Sequence, residues 1–354
     1  MKVPPDIEKK LKRAKALKIS LDEILQPPQH AIEQINSTSG DYSPIATLGN
    51  FSLVTGKAKS RKSFYMGIAV SAASSNELIL GRYKGTLPEE KRDVLYFDTE
   101  QGKYHVQQSS KRISRITQKA KIKNLYVYYL RALEPKERLE IIEAVIYANN
   151  KIGFVVIDGI RDLVTSINDE EQATMIASKL LKWTEERNIH ISVVLHQNKG
   201  NEYARGHLGT ELINKAELVL SVTKQNGNEA ISIVKAEYSR DIEPGLFAFT
   251  IVDGLPTAVD DFVENTPISN RKTKLADIKT EDKLKLLRDV FSVTKDFRYK
   301  ELVNQIKESY RKLFKVHVGD NQIKEFITEC NSRNWINQEK PKSKYTLTSS
   351  LESP

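Results

Sequence analysis

Short apolar runs alternate with stretches of helical periodicity along most of the chain. The runs are rich in β-branched and aromatic residues, which is typical of strands. The predicted strands are residues 51–55, 93–98, 125–129, 154–158, 191–196, 218–223, 230–236 and 246–252. Several runs are almost continuously apolar, as expected of parallel strands covered by helices on both faces. The last three lie close together, so short turns must join them in antiparallel order. The pattern predicts an α/β fold with a mostly parallel central sheet.

Helical periodicity also marks both ends of the chain. A helix is predicted from about residue 6 to residue 25, before Pro27 and Pro28, and no clear period follows it up to residue 50. Beyond residue 261 the sequence turns polar, and from about residue 280 three helical patterns precede a hairpin, an order that resembles a winged-helix domain. We therefore predict four parts: an N-terminal helical arm (1–45), an α/β core (46–262), a linker (263–279) and a small winged-helix-like domain (280–354).

Composition narrows the class of protein. The formal charge of +9 over 354 residues favours a polyanionic partner such as nucleic acid, although many lysine-rich proteins bind none. The single cysteine, Cys330, excludes an internal disulfide and a cysteine-based zinc site. No apolar run approaches the roughly 20 residues that span a bilayer, and no signal peptide is recognisable. We expect a cytoplasmic protein that has no membrane partner.

The first core strand runs directly into a cationic loop and a helix. Phosphate-binding loops have the pattern Gly, four residues, Gly, Lys and Ser or Thr, and here Arg61 stands in place of the second glycine. In such loops backbone N–H groups surround the phosphates, the lysine reaches the terminal phosphates, and the hydroxyl binds Mg²⁺. We predict that this loop binds ATP and Mg²⁺, the alternative being a basic surface loop. The predicted nucleotide-binding residues are Gly56, Lys57, Ala58, Lys59, Ser60, Arg61, Lys62, Ser63 and Phe64.

Acidic and amide side chains follow three further strands. Glu100 is the predicted general base for the attacking water, although it and Asp98 could instead cap the next helix. Asp158 ends an apolar strand and is predicted to support the metal together with Ser63. Because ligands gather at the carboxyl ends of parallel strands, the strand ends at Gly56, Glu100 and Asp158 are expected side by side. Of the adjacent His196 and Gln197, we favour Gln197 as the group that senses the γ-phosphate.

The segments GKAKSRKS, LYFDTEQ, FVVIDG and VVLHQNKG, in this order, resemble the RecA-like superfamily, in particular the RepA/DnaB-type hexameric helicase ATPases. The resemblance covers about residues 45–260. The residue patterns of GKAKSRKS, FDTEQGKYHV and ARGHLGTEL are similar to those of RepA-like ATPases from plasmids and mobilizable elements of Bacteroidetes-type bacteria. The resemblance implies a RecA-like P-loop core in a homo-hexamer or other homo-oligomer that acts on single-stranded DNA.

The resemblance also suggests residues outside the phosphate loop. It implies that the loop 198–209 contacts DNA, through Lys199, Arg205 and His207, the alternative being an ordinary surface loop. It further implies that a late basic residue reaches the nucleotide of a neighbouring subunit. Arg240 is the better candidate and Lys235 the second, although their spacing is longer than the Lys-x-Arg of DnaB-like proteins.

Two functions fit these features. The first is an ATP-dependent DNA motor, a replicative helicase-type ATPase of a plasmid or mobile element. The alternative is a nucleotide-binding DNA replication or regulatory assembly factor with little or no hydrolysis or unwinding, for which Arg61 is the main support. The C-terminal domain is expected to bind duplex DNA, with a protein-interaction module as the alternative.

Overall fold

The chain divides into two compact units, Met1–Phe262 and Val263–Pro354. The structure is a computed structural model that describes residues 4–36, 40–197, 206–259, 262, 275, 278, 280–314, 318–338, 340 and 343–348. Each unit has its own buried apolar core.

The first unit alternates strands and helices. Its strands are β1 (His30–Ile35), β2 (Tyr42–Thr47), β3 (Phe51–Gly56), β4 (Leu78–Ile79), β5 (Tyr83–Gly85), β6 (Asp93–Asp98), β7 (Leu125–Tyr129), β8 (Ile152–Asp158), β9 (His190–His196), β10 (Leu218–Gln225), β11 (Asn228–Ser239), β12 (Phe247–Val252) and β13 (Leu255–Ala258). Its helices are α1 (Pro5–Ala16), α2 (Lys62–Ser75), α3 (Lys103–Ile116), α4 (Pro135–Ala148), α5 (Glu170–Arg187) and α6 (Gly206–Lys215).

A nine-stranded sheet organises this unit, in the order β13-β12-β11-β10-β3-β9-β8-β6-β7. Strands β10, β3, β9, β8, β6 and β7 run parallel, whereas β11, β12 and β13 continue the sheet in antiparallel order. Each predicted strand is present, with ends within three residues of the prediction. The predicted α/β class with a mostly parallel sheet is confirmed. The expectation of three neighbouring strand ends is wrong in one respect, because β9 lies between β3 and β8.

Helices cover both faces of this sheet. On one face α2 and α3 pack on alternate strand residues such as Val54 and Val156. On the other face α4, α5 and α6 pack on Leu53, Val155 and their neighbours, with Trp183 fully buried. Strand β8 has no exposed residue, which explains its continuous apolar sequence.

The region before β3 differs from the predicted arm. Residues 30–35 and 42–47 form β1 and β2, which join β5 and β4 in a second sheet of order β2-β1-β5-β4. Ala31, Ile32 and Ala46 are buried in the same apolar cluster as α2. The two strands are short, and Pro44 lies within β2 beside an irregularity in its pairing with β1, so their periodicity is hard to detect from sequence. The arm predicted to reach residue 45 therefore ends before residue 30, and its helix α1 ends at Ala16 rather than near residue 25. Residues 4–29 are all exposed.

The second unit contains the three predicted helices, α7 (Thr280–Phe291), α8 (Tyr299–Phe314) and α9 (Asp320–Ser332). A three-stranded antiparallel sheet of order β14-β16-β15 accompanies them, formed by Asp296–Phe297, Tyr345–Leu347 and Ile336–Asn337. Its core includes Tyr310, Phe326 and Cys330. The assignment as a winged-helix-like domain stays a prediction. In neither unit do the described residues include a helix long and apolar enough to cross a membrane.

Candidate nucleotide site

The loop between β3 and α2 begins at a position that only glycine fits. Gly56 has φ 156°, and a Cβ there would lie 2.3 Å from the carbonyl oxygen of Val222 and 2.6 Å from Ser60 Oγ. The loop thus passes closely over β10 before α2 begins at Lys62. Lys57, Ala58 and Lys59 are exposed on it. Ser60 is buried, and its Oγ has no hydrogen-bond partner among the described residues.

Lys62 is buried at the start of α2, and its ammonium group has three polar neighbours. Nζ donates to the carbonyl oxygens of Gly56 (2.9 Å) and Lys57 (3.0 Å) and lies 3.0 Å from His196 Nδ1. Burial lowers the pKa of Lys62 to about 8, although the negative charges of Asp158 and Glu100 oppose this shift. A phosphate would replace neutral acceptors by charged ones and so favour the ammonium form.

His196 connects Lys62 to Glu100. Since Nδ1 faces an ammonium group that can only donate, Nε2 carries the ring proton of the neutral imidazole. Nε2 lies 3.3 Å from the Glu100 carboxylate. This hydrogen bond is the main cause that lowers the pKa of Glu100, so that Glu100 is ionised at neutral pH. An ionised carboxylate in this place can accept a proton from water.

Asp98 and Glu100 have different environments. Oδ1 of Asp98 accepts from the backbone N–H groups of Glu100 (3.0 Å) and Gln101 (2.7 Å), and Oδ2 accepts from Gln101 Nε2 (2.9 Å). Burial raises the pKa of Asp98 to about 6. Asp98 thus holds the turn before α3, but the helix begins after Gly102 with no side-chain cap, so the capping alternative is wrong for both acids. Glu100 instead lines the cleft.

Ser63 and Asp158 meet at the first turn of α2. Ser63 Oγ donates to Asp158 Oδ2 at 2.8 Å, and the Tyr96 hydroxyl donates to the same oxygen at 2.6 Å. Burial raises the pKa of Asp158. The described residues include no cluster of three or more His, Cys, Asp or Glu side chains able to hold a metal ion. A hydroxyl backed by one carboxylate nevertheless fits Mg²⁺ that takes its other ligands from phosphates and water.

These groups line one cleft of about 450 Å³, on which Glu100, Asp158 and His196 face the phosphate loop. Beside them the Arg112 guanidinium lies 3.8 Å from the ring centre of Phe64. The structure thus brings together residues from the ends of β3, β6, β8 and β9.

Gln197 and His196 have different contacts in the structure, and the role of Gln197 as the γ-phosphate sensor stays a prediction. Gln197 is buried, and its Nε2 lies 3.4 Å from Thr55 Oγ1 while its Oε1 lacks a partner among the described residues. His196, rather than Gln197, contacts both Lys62 and Glu100. The signal for His196 is its register, since it pairs with Gly56 across β3 and β9, but that register requires knowledge of the strand order.

Of the basic residues predicted outside the phosphate loop, the described ones, Arg240, Lys235 and His207, do not line this cleft. Because β11 is antiparallel, it begins near the phosphate loop and ends at the opposite sheet edge, where Ser239 pairs with Leu218. Arg240 is exposed there, with Nη2 donating to the Lys215 carbonyl at 2.8 Å, and Lys235 is exposed within β11. Among the described residues, the side-chain hydrogen bond of Arg240 is to Lys215, outside the cleft. His207 is exposed in α6, and the predicted DNA contacts Lys199 and Arg205 lie outside the described residues.

Comparison with known proteins supports the same class of site. The sequence profile of a family described as AAA domain matches residues 29–202, which include the phosphate loop, Glu100, Asp158 and His196. The matched residues belong to the α/β core with its mostly parallel central sheet. The chain is also similar to a solved structure, the ATPase domain of G40P, with 13% identity and a TM-score of 0.45 over 59% of this chain and 84% of that chain. A search of curated proteins returned no match.

Proposed function

We propose that this protein is an ATP-dependent DNA motor, a helicase-type ATPase that acts on single-stranded DNA. The observation that carries the ATPase part is the convergence of Lys62, Ser63, Glu100, Asp158 and His196 in one cleft. The DNA part is supported by the sequence resemblance to RepA/DnaB-type ATPases and by the charge of +9. The resemblance also supports a plasmid or mobile element as its source.

Each of these residues of the cleft has its own proposed role in ATP binding or hydrolysis. Lys62 binds the terminal phosphates by exchanging the carbonyls of Gly56 and Lys57 for phosphate oxygens. Ser63, backed by Asp158, holds Mg²⁺, which neutralises charge on the phosphates when it is bound. Glu100 accepts the proton of the attacking water, and His196 orients that carboxylate through Nε2–H. Because Lys62 and Glu100 both contact the imidazole of His196, a movement of Lys62 towards the phosphates also changes the hydrogen bond that orients Glu100.

An ATPase assay with and without single-stranded DNA tests this proposal. Glu100→Gln should keep Mg-nucleotide binding but lower turnover by about 10²–10⁴, as expected when a general base is removed. Lys62→Ala should lose nucleotide binding itself. Glu137→Gln, on an exposed position of α4, is the control and should behave like the unmodified protein. DNA should stimulate the unmodified protein.

Two results would contradict the proposal. If Glu100→Gln kept full turnover, the catalytic role of Glu100 would be wrong. If the unmodified protein bound nucleotide without turnover in any condition and stayed monomeric by native mass spectrometry, the assembly-factor alternative would replace the motor.

A subunit-mixing experiment tests the proposed action of Arg240 in trans. Arg240→Ala and Glu100→Gln should each be inactive alone. In a mixed homo-oligomer an Arg240→Ala subunit keeps its Glu100 and receives Arg240 from its neighbour, so part of the turnover should return. Lys235→Ala, mixed in the same way, tests the second candidate. Absence of any recovery in oligomers shown to be mixed would argue against a finger in trans.

A further inference from the structure

Arg61 has a backbone conformation that rarely suits an L-residue. Its φ of 75° and ψ of 29° lie in the left-handed region, immediately before the first residue of α2. The phosphate-loop pattern places glycine at this position, where the absence of a Cβ makes such angles accessible. An arginine in this conformation has a strained backbone. The surrounding structure must compensate for that strain, and the side chain can do so through a contact that glycine cannot make.

The Arg61 side chain makes such a contribution by crossing to β11. Nη1 donates to the carbonyl oxygen of Ala230 at 2.6 Å and lies 3.3 Å from Ser232 Oγ. Ser232 is fully buried, and its hydroxyl lies 3.4 Å from the carbonyl oxygen of Ser60. Two consecutive loop residues, Ser60 and Arg61, are thus tied to the start of β11. We name these four residues, Ser60, Arg61, Ala230 and Ser232, the loop latch.

We propose that Arg61 is a positioning residue whose latch to β11 holds the phosphate loop in its nucleotide-binding shape. This inference rests on the proposed nucleotide site. In place of glycine's backbone freedom, the chain uses a side-chain anchor that reduces the number of loop conformations in the free protein. Less ordering is then required when phosphate binds, so the latch raises affinity without touching the ligand.

The competing role for Arg61 is a direct contact with the phosphate. The two roles predict different effects of the nucleotide that is bound and of the residue Ser232. A latch acts before binding, so its loss should weaken ADP and an ATP analogue to the same extent. It should also depend on Ser232, because both side chains connect the same loop to the same strand. A phosphate contact should favour the triphosphate and be independent of Ser232.

The measurement is the Kd of mant-ADP and of mant-AMPPNP, with Mg²⁺, for single and double variants. Arg61→Ala should weaken both nucleotides by about tenfold, the usual effect of losing a charged hydrogen bond. Ser232→Ala should weaken them less, and the double variant should resemble Arg61→Ala alone. Arg61→Gly should lie between Arg61→Ala and the unmodified protein, because glycine removes the backbone strain but not the need for the anchor. Arg61→Lys should recover part of the affinity through one donor to Ala230.

Thr250→Val is the matched control. Thr250 Oγ1 donates to the same Ala230 carbonyl at 3.0 Å but is not part of the latch, so this variant should bind both nucleotides normally. Steady-state turnover adds a second readout, in which Arg61→Ala should raise KM and leave kcat nearly unchanged. Thermal unfolding of the nucleotide-free variants should show that Arg61→Ala is folded.

The outcomes separate the latch from the proposed function. If the unmodified protein bound neither nucleotide, both inferences would fail. If it bound them and Arg61→Ala bound equally well, only the latch would be overturned. An Arg61→Ala effect confined to mant-AMPPNP and additive with Ser232→Ala would also overturn the latch, in favour of a direct phosphate contact.

Discussion

At the scale of single residues, Gly159 determines how closely the ends of β6 and β8 approach. Gly159 has φ 109°, and a Cβ there would lie 2.1 Å from Thr99 Oγ1 and 3.0 Å from Glu100 Cγ. Thr99 Oγ1 also lies within hydrogen-bond distance of the Gly159 carbonyl (2.9 Å) and of Asp162 Oδ2 (3.1 Å). The position of Glu100 therefore depends on the absence of a side chain on the neighbouring strand.

Gly159→Ala should displace Glu100 and lower ATP turnover by about 10²-fold, since small errors in the position of a catalytic group have such effects. Nucleotide Kd should change much less, because Gly159 is not part of the phosphate loop. Gly81→Ala is the control for backbone strain alone, as Gly81 has φ 65° with nothing within 4 Å of a new Cβ. Equal kcat values for the two variants would argue against this role.

Asp98 provides a prediction for pH. Burial raises its pKa from 3.8 to about 6, so between these values the native state binds a proton that the unfolded state lacks. The free energy of unfolding should therefore fall as pH rises from about 4 to 6, by about 1–3 kcal/mol, and then level off. Urea titrations without Mg²⁺ at several pH values measure the free energy of unfolding of the unmodified protein and of Asp98→Asn. The difference between the two proteins should follow this trend with pH. A difference that is constant with pH would contradict the assignment.

At the scale of elements, strand positions were predictable but strand order was not. Each core strand is apolar over most of its length, so periodicity and flanking polar residues locate it. The insertion of β9 between β3 and β8 depends on long-range pairing, which no local pattern records. Lys62, Ser63 and Asp158 could be predicted as a group from their motifs. The contacts of His196 could not, because they arise from the pairing of β9 with β3.

A mostly buried carboxylate, that of Glu217, joins three of these elements at the sheet edge opposite the cleft. Glu217 Oε1 accepts from the backbone N–H of Thr47 at 2.9 Å and lies 3.3 Å from Nδ1 of the fully buried His190. These residues connect the end of β2, the start of β9 and the segment before β10. Burial alone would raise the pKa of Glu217, but the hydrogen bonds with His190 and Thr47 lower it.

Glu217→Gln should lower the free energy of unfolding by about 1–3 kcal/mol at pH 7, because it weakens a buried charge-assisted network. A lowered pKa means that the carboxylate contributes stability above the unfolded-state pKa and loses it as pH falls. The difference between the variant and the unmodified protein should therefore shrink towards pH 4. Urea unfolding at both pH values measures it. Glu229→Gln removes an exposed, solvent-screened pair with Lys224 and should change stability much less than Glu217→Gln does. Equal effects of the two variants would contradict the importance of burial.

At the scale of the whole molecule, each of the two units contains one tryptophan. Trp183 is buried in the first unit, and Trp335 packs against the core of the second. Cys330 is buried in the second unit, where burial raises the pKa of its thiol to about 12. A thiol is reactive only as the thiolate, so Cys330 should react with a labelling reagent only when the second unit opens. The chain therefore contains an independent reporter for each unit.

These reporters test whether the nucleotide stabilises one unit or both. The residues of the cleft all belong to the first unit, so Mg-ADP at 100 times its Kd should raise that unit's free energy of unfolding by about 2.7 kcal/mol. In Trp335→Phe the fluorescence of Trp183 should show this shift in urea, whereas the labelling rate of Cys330 in the same samples should not change. Because separate cores can open separately, the labelling rate should follow the stability of the second core alone. Slower labelling in parallel with the Trp183 shift would mean that the two cores unfold as one cooperative structure.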